Sequence, residues 1–166
     1  MIAAAAPRLP LQGADDLPLL VRRARLQDAR ALHSLSLAFV RSGALRARTI
    51  DHYLAHAGEF ILATGRGRTP VRGCVALSDE GNGAAVLHNF CVARGSQGRG
   101  LGAALLRAAF AEARRRSMRE VFTATTSGAD LFRRYGFAPT ARGRAPAAWA
   151  RALDPARGSQ VLSRRL

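Results

Sequence analysis

The chain has 166 residues, a hydrophobic fraction of 48%, a charged fraction of 22% and a formal net charge of +15. That length suits one domain with one buried core, and the balance excludes a disordered or low-complexity protein. All 26 basic residues are arginine and they scatter from Arg8 to Arg165, which argues against a nucleic-acid surface but leaves a positive field that draws anionic ligands.

Cys74 and Cys91 have neither metal-ligand nor redox spacing and read as reduced, buried residues of a cytoplasmic protein, with no metal implied. Met1 to Pro18 holds a short apolar start cut off by Pro7, too short for a secretory core or a membrane span, and is expected to be a flexible tail before a single domain over 19–166.

In chain order, Leu19 to Ala24 predicts a strand, and the apolar spacing of Leu32, Leu35, Phe39 and Val40 predicts a helix from Gln27 that stops at Ser42-Gly43. A second helix is expected from Arg48 to His56. Three strands follow at 59–63, 71–77 and 85–92, joined by turn-rich connections short enough for hairpins, so these strands are antiparallel neighbours. A glycine-spaced loop then leads into a helix over 103–113 and a strand over 120–125, the pattern of a right-handed crossover with parallel strands. A shorter helix from Ala129 to Tyr135 ends at Gly136; Phe137-Ala138 and Val161 to Leu166 complete the sheet, and 142–157 reads as a long connection. The fold class is therefore α/β (α+β): a mixed, mainly antiparallel sheet with a central β-α-β crossover and helices on both faces.

The loop carries the chemistry. The first N–H groups of a helix lack intrahelical partners and the helix dipole is positive there, so a strand-loop-helix junction is a ready anion site. Gly98, Gly100 and Gly102 remove side chains at alternate positions, leaving the amides from Gly98 to Ala103 free to converge on a diphosphate, and Arg99 adds charge. Dinucleotide-binding folds also open a helix with glycines, but there the loop follows the first strand of a parallel sheet, whereas here several antiparallel strands precede it.

Gln97-Gly98-Arg99-Gly100-Leu101-Gly102 fits the pattern Gln/Arg-x-x-Gly-x-Gly/Ala, and with Leu87 to Val92 and Leu131 to Phe137 the chain resembles the GNAT superfamily of N-acetyltransferases from about Val21 to Leu166. The resemblance implies acetyl-CoA as co-substrate, with Gln97, Gly98, Arg99, Gly100, Leu101, Gly102 and Ala103 at its pyrophosphate. It further implies main-chain contacts to pantetheine from Phe90, Cys91 and Val92, and Phe132 beside the coenzyme. Within the superfamily, the stretches 43–48, 73–77 and 154–162 are similar to the acetyltransferase domain of N-acetylglutamate synthases. That likeness implies Arg48, Arg157 and Ser159 around an acidic amino acid, plausibly glutamate for arginine synthesis, and paired guanidinium groups do suit carboxylates.

Direct transfer needs a base for the amine, an oxyanion site and an acid for the thiolate. His88 is the candidate base, its alternative being a hydrogen-bonded sheet residue. The resemblance implies main-chain N–H groups near Phe90 or Cys91 as oxyanion donors. Many superfamily members have a tyrosine where this chain has Phe132, which cannot donate a proton. Thr125, Thr126, Ser127, Tyr135 or an ordered water remain as acids, and the thiolate can also leave unassisted. Cys91 as a nucleophile lacks an identified base. His33, His52 and His56 read as surface or packing residues. Other readings are another small amine or a protein N-terminus as acceptor, or a non-catalytic acyl-CoA sensor; a homodimer is compatible with all of them, and no membrane partner is expected.

Overall fold

The computed structural model describes residues 20–65 and 70–166. The expected tail over 1–18, and the turn at 66–69, lie outside those residues. Seven strands form one sheet: β1 (Leu20–Arg23), β2 (Phe60–Thr64), β3 (Val71–Asp79), β4 (Ala84–Val92), β5 (Glu120–Thr125), β6 (Ala138–Pro139) and β7 (Gln160–Arg165). Their order is β1-β2-β3-β4-β5-β7-β6, and among the described residues only the β4–β5 pair is parallel. The helices are α1 (Ala29–Arg41), α2 (Ile50–Ala55), α3 (Leu101–Arg115), α4 (Ala129–Arg134) and α5 (Ala147–Ala152). Among the described residues, no helix is long and apolar enough to cross a membrane.

Strand β2 shows how both faces are covered, because all five of its residues are buried and its four apolar ones alternate between two clusters. Ile61 and Ala63 pack with Leu105, Leu106, Ala109 and Phe110 of α3, whereas Phe60 and Leu62 pack with Leu32 of α1 and Tyr53 of α2. A third cluster joins Val86, Phe122 and Val161 to α5 through Ala150 and Trp149. Period-2 alternation on the strands and the spacing of Leu101, Leu105, Ala109 and Ala113 on α3 thus meet in a sandwich of helix, sheet and helix.

The β-α-β crossover is present as expected, with α3 leading from β4 to the parallel β5. Pairing of these two strands runs from Ala84↔Glu120 to Val86↔Phe122 and then stops, although β4 continues to Val92 and β5 to Thr125. The strands diverge beyond Val86, so the edge of β4 over Leu87 to Val92 faces a gap instead of a neighbouring strand.

The connection over 142–157 is more ordered than its composition suggests. It contains α5, and Arg142 closes that helix by donating from Nε and Nη2 to the Ala150 carbonyl at 3.0 and 2.7 Å and from Nη2 to the Leu153 carbonyl at 2.6 Å. An arginine thus supplies the C-terminal cap where no glycine follows the helix.

Candidate active site

Two features meet at the splayed strands. The first is the loop from Gln97 into α3. Gln97 Nε2 donates to the Val92 carbonyl at 2.9 Å, which ties the loop to the end of β4. Gly98 and Gly100 take φ of +74° and +78°, and a Cβ built on either would meet nothing within 4 Å, so the glycines bound open space. Gly100 is the N-cap of α3 and has no side-chain cap. Gln97 N donates to Arg94 O and Ala104 N to Gly100 O, and between them residues 97–100 form a turn that leads into the first N–H groups of α3. A coenzyme pyrophosphate fits this cradle, since a helix N-terminus, glycines that bound open space and the exposed Arg99 come together there.

Gly102 is different. A Cβ there would stand 3.1 Å from Phe90 Cζ, so the absent side chain lets the Phe90 ring lie against α3. Phe90 in turn meets Phe132 edge-on at 5.7 Å between centroids. Cys91 points to the other face of the sheet, its sulfur 3.4 Å from that of Cys74, and both thiols are free. Its side chain therefore lies within the core, and only its main chain is available to the gap.

The second feature is a cleft of about 420 Å³ on the α1/α2 face, lined by residues of α2, β4, β5 and the 142–159 segment. His88, Arg48, Arg157 and Ser159 all line it, which brings together four residues separated by up to most of the chain length. Glu59, on the 3-10 turn Ala57–Glu59, is also in its wall. One Glu59 oxygen lies 3.0 Å from His56 Nδ1, and the other lies 3.8 Å from His88 Nε2, an electrostatic approach longer than a hydrogen bond. The imidazole of His88, with that of His56 adding to it, holds the Glu59 carboxyl down to about 2 against the desolvation that would raise it. The carboxylate is therefore ionised across the physiological range. His52 lines the same cleft and is held down to about 4, by burial first and then by the positive charge of Arg48.

The arginines hold the walls as well as facing the cleft. Arg157 Nη2 donates to the carbonyls of Gly43 at 2.8 Å and Ala44 at 3.2 Å, while Arg46 Nη1 donates to the Ala152 carbonyl at 3.1 Å. These reciprocal bonds tie the α1–α2 loop to the segment after α5. Arg46, not among the expected pocket residues, lines the cleft beside Arg48.

Two expected residues stand apart. The Thr125 hydroxyl donates to the Ser127 carbonyl, and Thr126, not Thr125, lines the cleft. Tyr135 caps α4 and packs against the α3 cluster, with its carbonyl accepting from Arg164 Nη1 at 2.6 Å. Glu59, His52 and His56 carried no sequence signal of a shared site, because they lie along two short consecutive helical segments and their common neighbour His88 comes much later in the chain. The one available hint was the i,i+3 spacing of His56 and Glu59.

The description "Acetyltransferase (GNAT) domain" matches residues 53–139, just over half of the chain. The chain belongs to the GNAT acetyltransferase family. It is accordingly an N-acetyltransferase that takes acetyl-CoA as co-substrate. It is 27% identical to an uncharacterized N-acetyltransferase of Chlorobaculum tepidum over 117 residues, which is 70% of this chain and 74% of that protein. In structure it is similar to the N-acetylglutamate synthase of Neisseria gonorrhoeae complexed with coenzyme A and N-acetyl-glutamate, with a TM-score of 0.84 and 23% identity over 92% of this chain; it spans 36% of that synthase. It is also similar to Rv2747 of Mycobacterium tuberculosis in complex with CoA, with a TM-score of 0.77 and 22% identity over 89% of this chain and 99% of that one. At these identities the two solved structures establish the likeness of fold.

Proposed function

We propose that this GNAT acetyltransferase acetylates the α-amine of a small acidic amino acid, with L-glutamate, the entry to arginine synthesis, as the first candidate. The observation that carries the proposal is one cleft lined by Arg46, Arg48 and Arg157 together with the Glu59–His88 pair. Guanidinium groups match carboxylates, and an imidazole beside a fixed negative charge suits an ammonium that must lose a proton. The Neisseria gonorrhoeae neighbour, solved with N-acetyl-glutamate, adds support.

When bound, acetyl-CoA supplies an activated acetyl thioester. The N–H groups from Gly98 to Ala103 and the exposed Arg99 bind its pyrophosphate, and the unpaired edge of β4 over Phe90, Cys91 and Val92 binds its pantetheine arm. Arg48 and Arg157 orient the acceptor carboxylates, with Ser159 beside them. His88 takes the proton from the α-ammonium while the ionised Glu59 holds the ring and balances the charge it gains. Main-chain N–H groups near Phe90 and Cys91 receive the charge that develops on the acetyl oxygen. As the new C–N bond forms and the C–S bond breaks, the amine's second N–H proton passes by way of the Thr126 hydroxyl, which lines the cleft, or water to the departing thiolate.

A screen of amine acceptors with acetyl-CoA, reading free thiol release, tests the assignment. Turnover with glutamate or aspartate is expected; inert acidic amino acids beside an active amine of another class would overturn it.

A further inference from the structure

Strand β4 does not alternate evenly. Ala85 and Leu87 belong to the cluster under α3, and Val86 and His88 lie on the opposite face, one with Phe122 and the other in the cleft. Continued alternation would place Asn89 under α3 and Phe90 in the cleft. Instead Phe90 and Val92 pack with α3, and Cys91 packs on the other face. The phase change occurs at Asn89, whose φ is +49°, and it coincides with a register shift against β3 between Cys74 and Ala76. One extra residue in β4 thus lets His88 and Asn89, consecutive in the chain, point to the same face.

A non-glycine residue in this conformation is uncommon, and asparagine tolerates it better than residues with a bulkier or apolar side chain. Here its side chain is also held from two helices. Asn89 Nδ2 donates to Ser36 Oγ at 3.0 Å, and Tyr53 donates to Asn89 Oδ1 at 3.3 Å. Ser36 Oγ donates onward to the Leu32 carbonyl at 2.9 Å, so the network runs into the main chain of α1. Ser36 and Tyr53 are both buried.

We infer that Asn89 is a positioning residue of the transfer reaction: its left-handed backbone, clamped by Ser36 of α1 and Tyr53 of α2, keeps His88 on the cleft face while Phe90 remains on the coenzyme face against Gly102. The inference rests on the proposed role of His88, but it concerns where that side chain is held. It also links the helices that wall the acceptor cleft to the strand on which the acetyl group is met.

The test uses the full chain with Asn89→Ala, which removes the clamp and disfavours positive φ, and Asn89→Gly, which removes the clamp but keeps that φ accessible. Because small misplacements of a reacting group are costly, Asn89→Ala should lower kcat roughly tenfold or more, while Asn89→Gly, which restores the backbone but not the clamp, recovers part of it. In a His88→Gln background Asn89→Ala should lower kcat no further, as expected of residues acting as one unit. The His88 Cε1–H NMR signal, assigned by its loss in His88→Gln, should move in Asn89→Ala and return toward its original position in Asn89→Gly; this readout keeps its meaning if Asn89→Ala is folded but inactive. An unmoved His88 signal in Asn89→Ala, equal kcat losses in Ala and Gly, or an additive loss in the double variant would overturn the inference. Full activity of His88→Gln would sink the base assignment instead, and the NMR comparison would still decide whether Asn89 sets the position of His88.

Discussion

Arg157 donates from Nη2 to the main-chain carbonyl of Gly43 at 2.8 Å, joining residues 114 positions apart across the mouth of the cleft. A second nitrogen of the same planar fork remains for a substrate carboxylate, so one side chain can hold the wall and orient the acceptor. Arg157→Ala is therefore expected to raise the acceptor KM about tenfold or more, and Arg157→Lys to recover little of it, because a compact ammonium cannot divide its donors in the same plane. Steady-state kinetics at saturating acetyl-CoA checks this. An unchanged acceptor KM in both variants would remove Arg157 from the pocket.

Glu59 carries a different expectation. Its carboxylate stands between His56 and His88, and Glu59→Gln keeps the shape while removing the negative charge. General base catalysis typically contributes about 10²–10⁴-fold, so kcat should fall on the order of a hundredfold. Acetyl-CoA affinity, measured by calorimetry, should hold, since the loop over 97–102 lies elsewhere. Loss of coenzyme binding in this variant would mean that Glu59 supports the fold and not the chemistry.

The contrast between the loop and Glu59 shows what the sequence made legible. Gly98 and Gly100 announce positive φ and an open approach by residue type alone, so the anion cradle could be read locally. Apolar runs bounded by turn residues likewise exposed β2 to β5. Glu59, by comparison, acquires its setting from His88, 29 residues later in number, and only the pairing of β2, β3 and β4 brings them together. The turn at Asn89 was invisible because apolar residues run from Ala84 to Leu87 before it and from Phe90 to Val92 after it. Helix α5 was hidden by its alanine- and arginine-rich composition, with the cap coming from Arg142, five residues ahead of its first turn. Arg46 was one among many arginines until the clasp across the cleft singled it out, whereas Arg157 was already marked by the likeness of 154–162 to N-acetylglutamate synthase domains.

Substitutions in the loop should separate backbone conformation from packing. At Gly100 a Cβ has room, but φ of +78° is strained for a β-branched residue, so Gly100→Val should distort the amides of the first turn of α3. At Gly102 the φ is ordinary, yet Gly102→Leu would drive into Phe90. Both are expected to weaken acetyl-CoA binding by about tenfold or more, in line with the loss of one or more charge-assisted hydrogen bonds. Normal coenzyme affinity in Gly100→Val would contradict the proposed cradle.

The pH dependence of stability should isolate His52. Burial, and then the nearby charge of Arg48, depress its folded value to about 4 from an ordinary 6.5, with His56 and His88 adding to the depression and Glu59 opposing it. Between those values the unfolded chain binds the extra proton and the folded chain resists it. The contribution of neutral His52 is therefore complete above about 6.5 and is lost progressively as pH falls toward about 4. Glu59 acts in a lower window: its carboxyl is held down to about 2 from 4.5, so its contribution is present above 4.5 and lost as pH falls through about 2. His52→Asn should accordingly flatten the curve of Tm against pH between about 6.5 and 4 and leave the loss below that range in place. Arg48→Gln should flatten the same window in part, since it removes only the second of the four depressing causes. Parallel curves for wild type and His52→Asn would show that the imidazole is no more protected from protons in the fold than outside it.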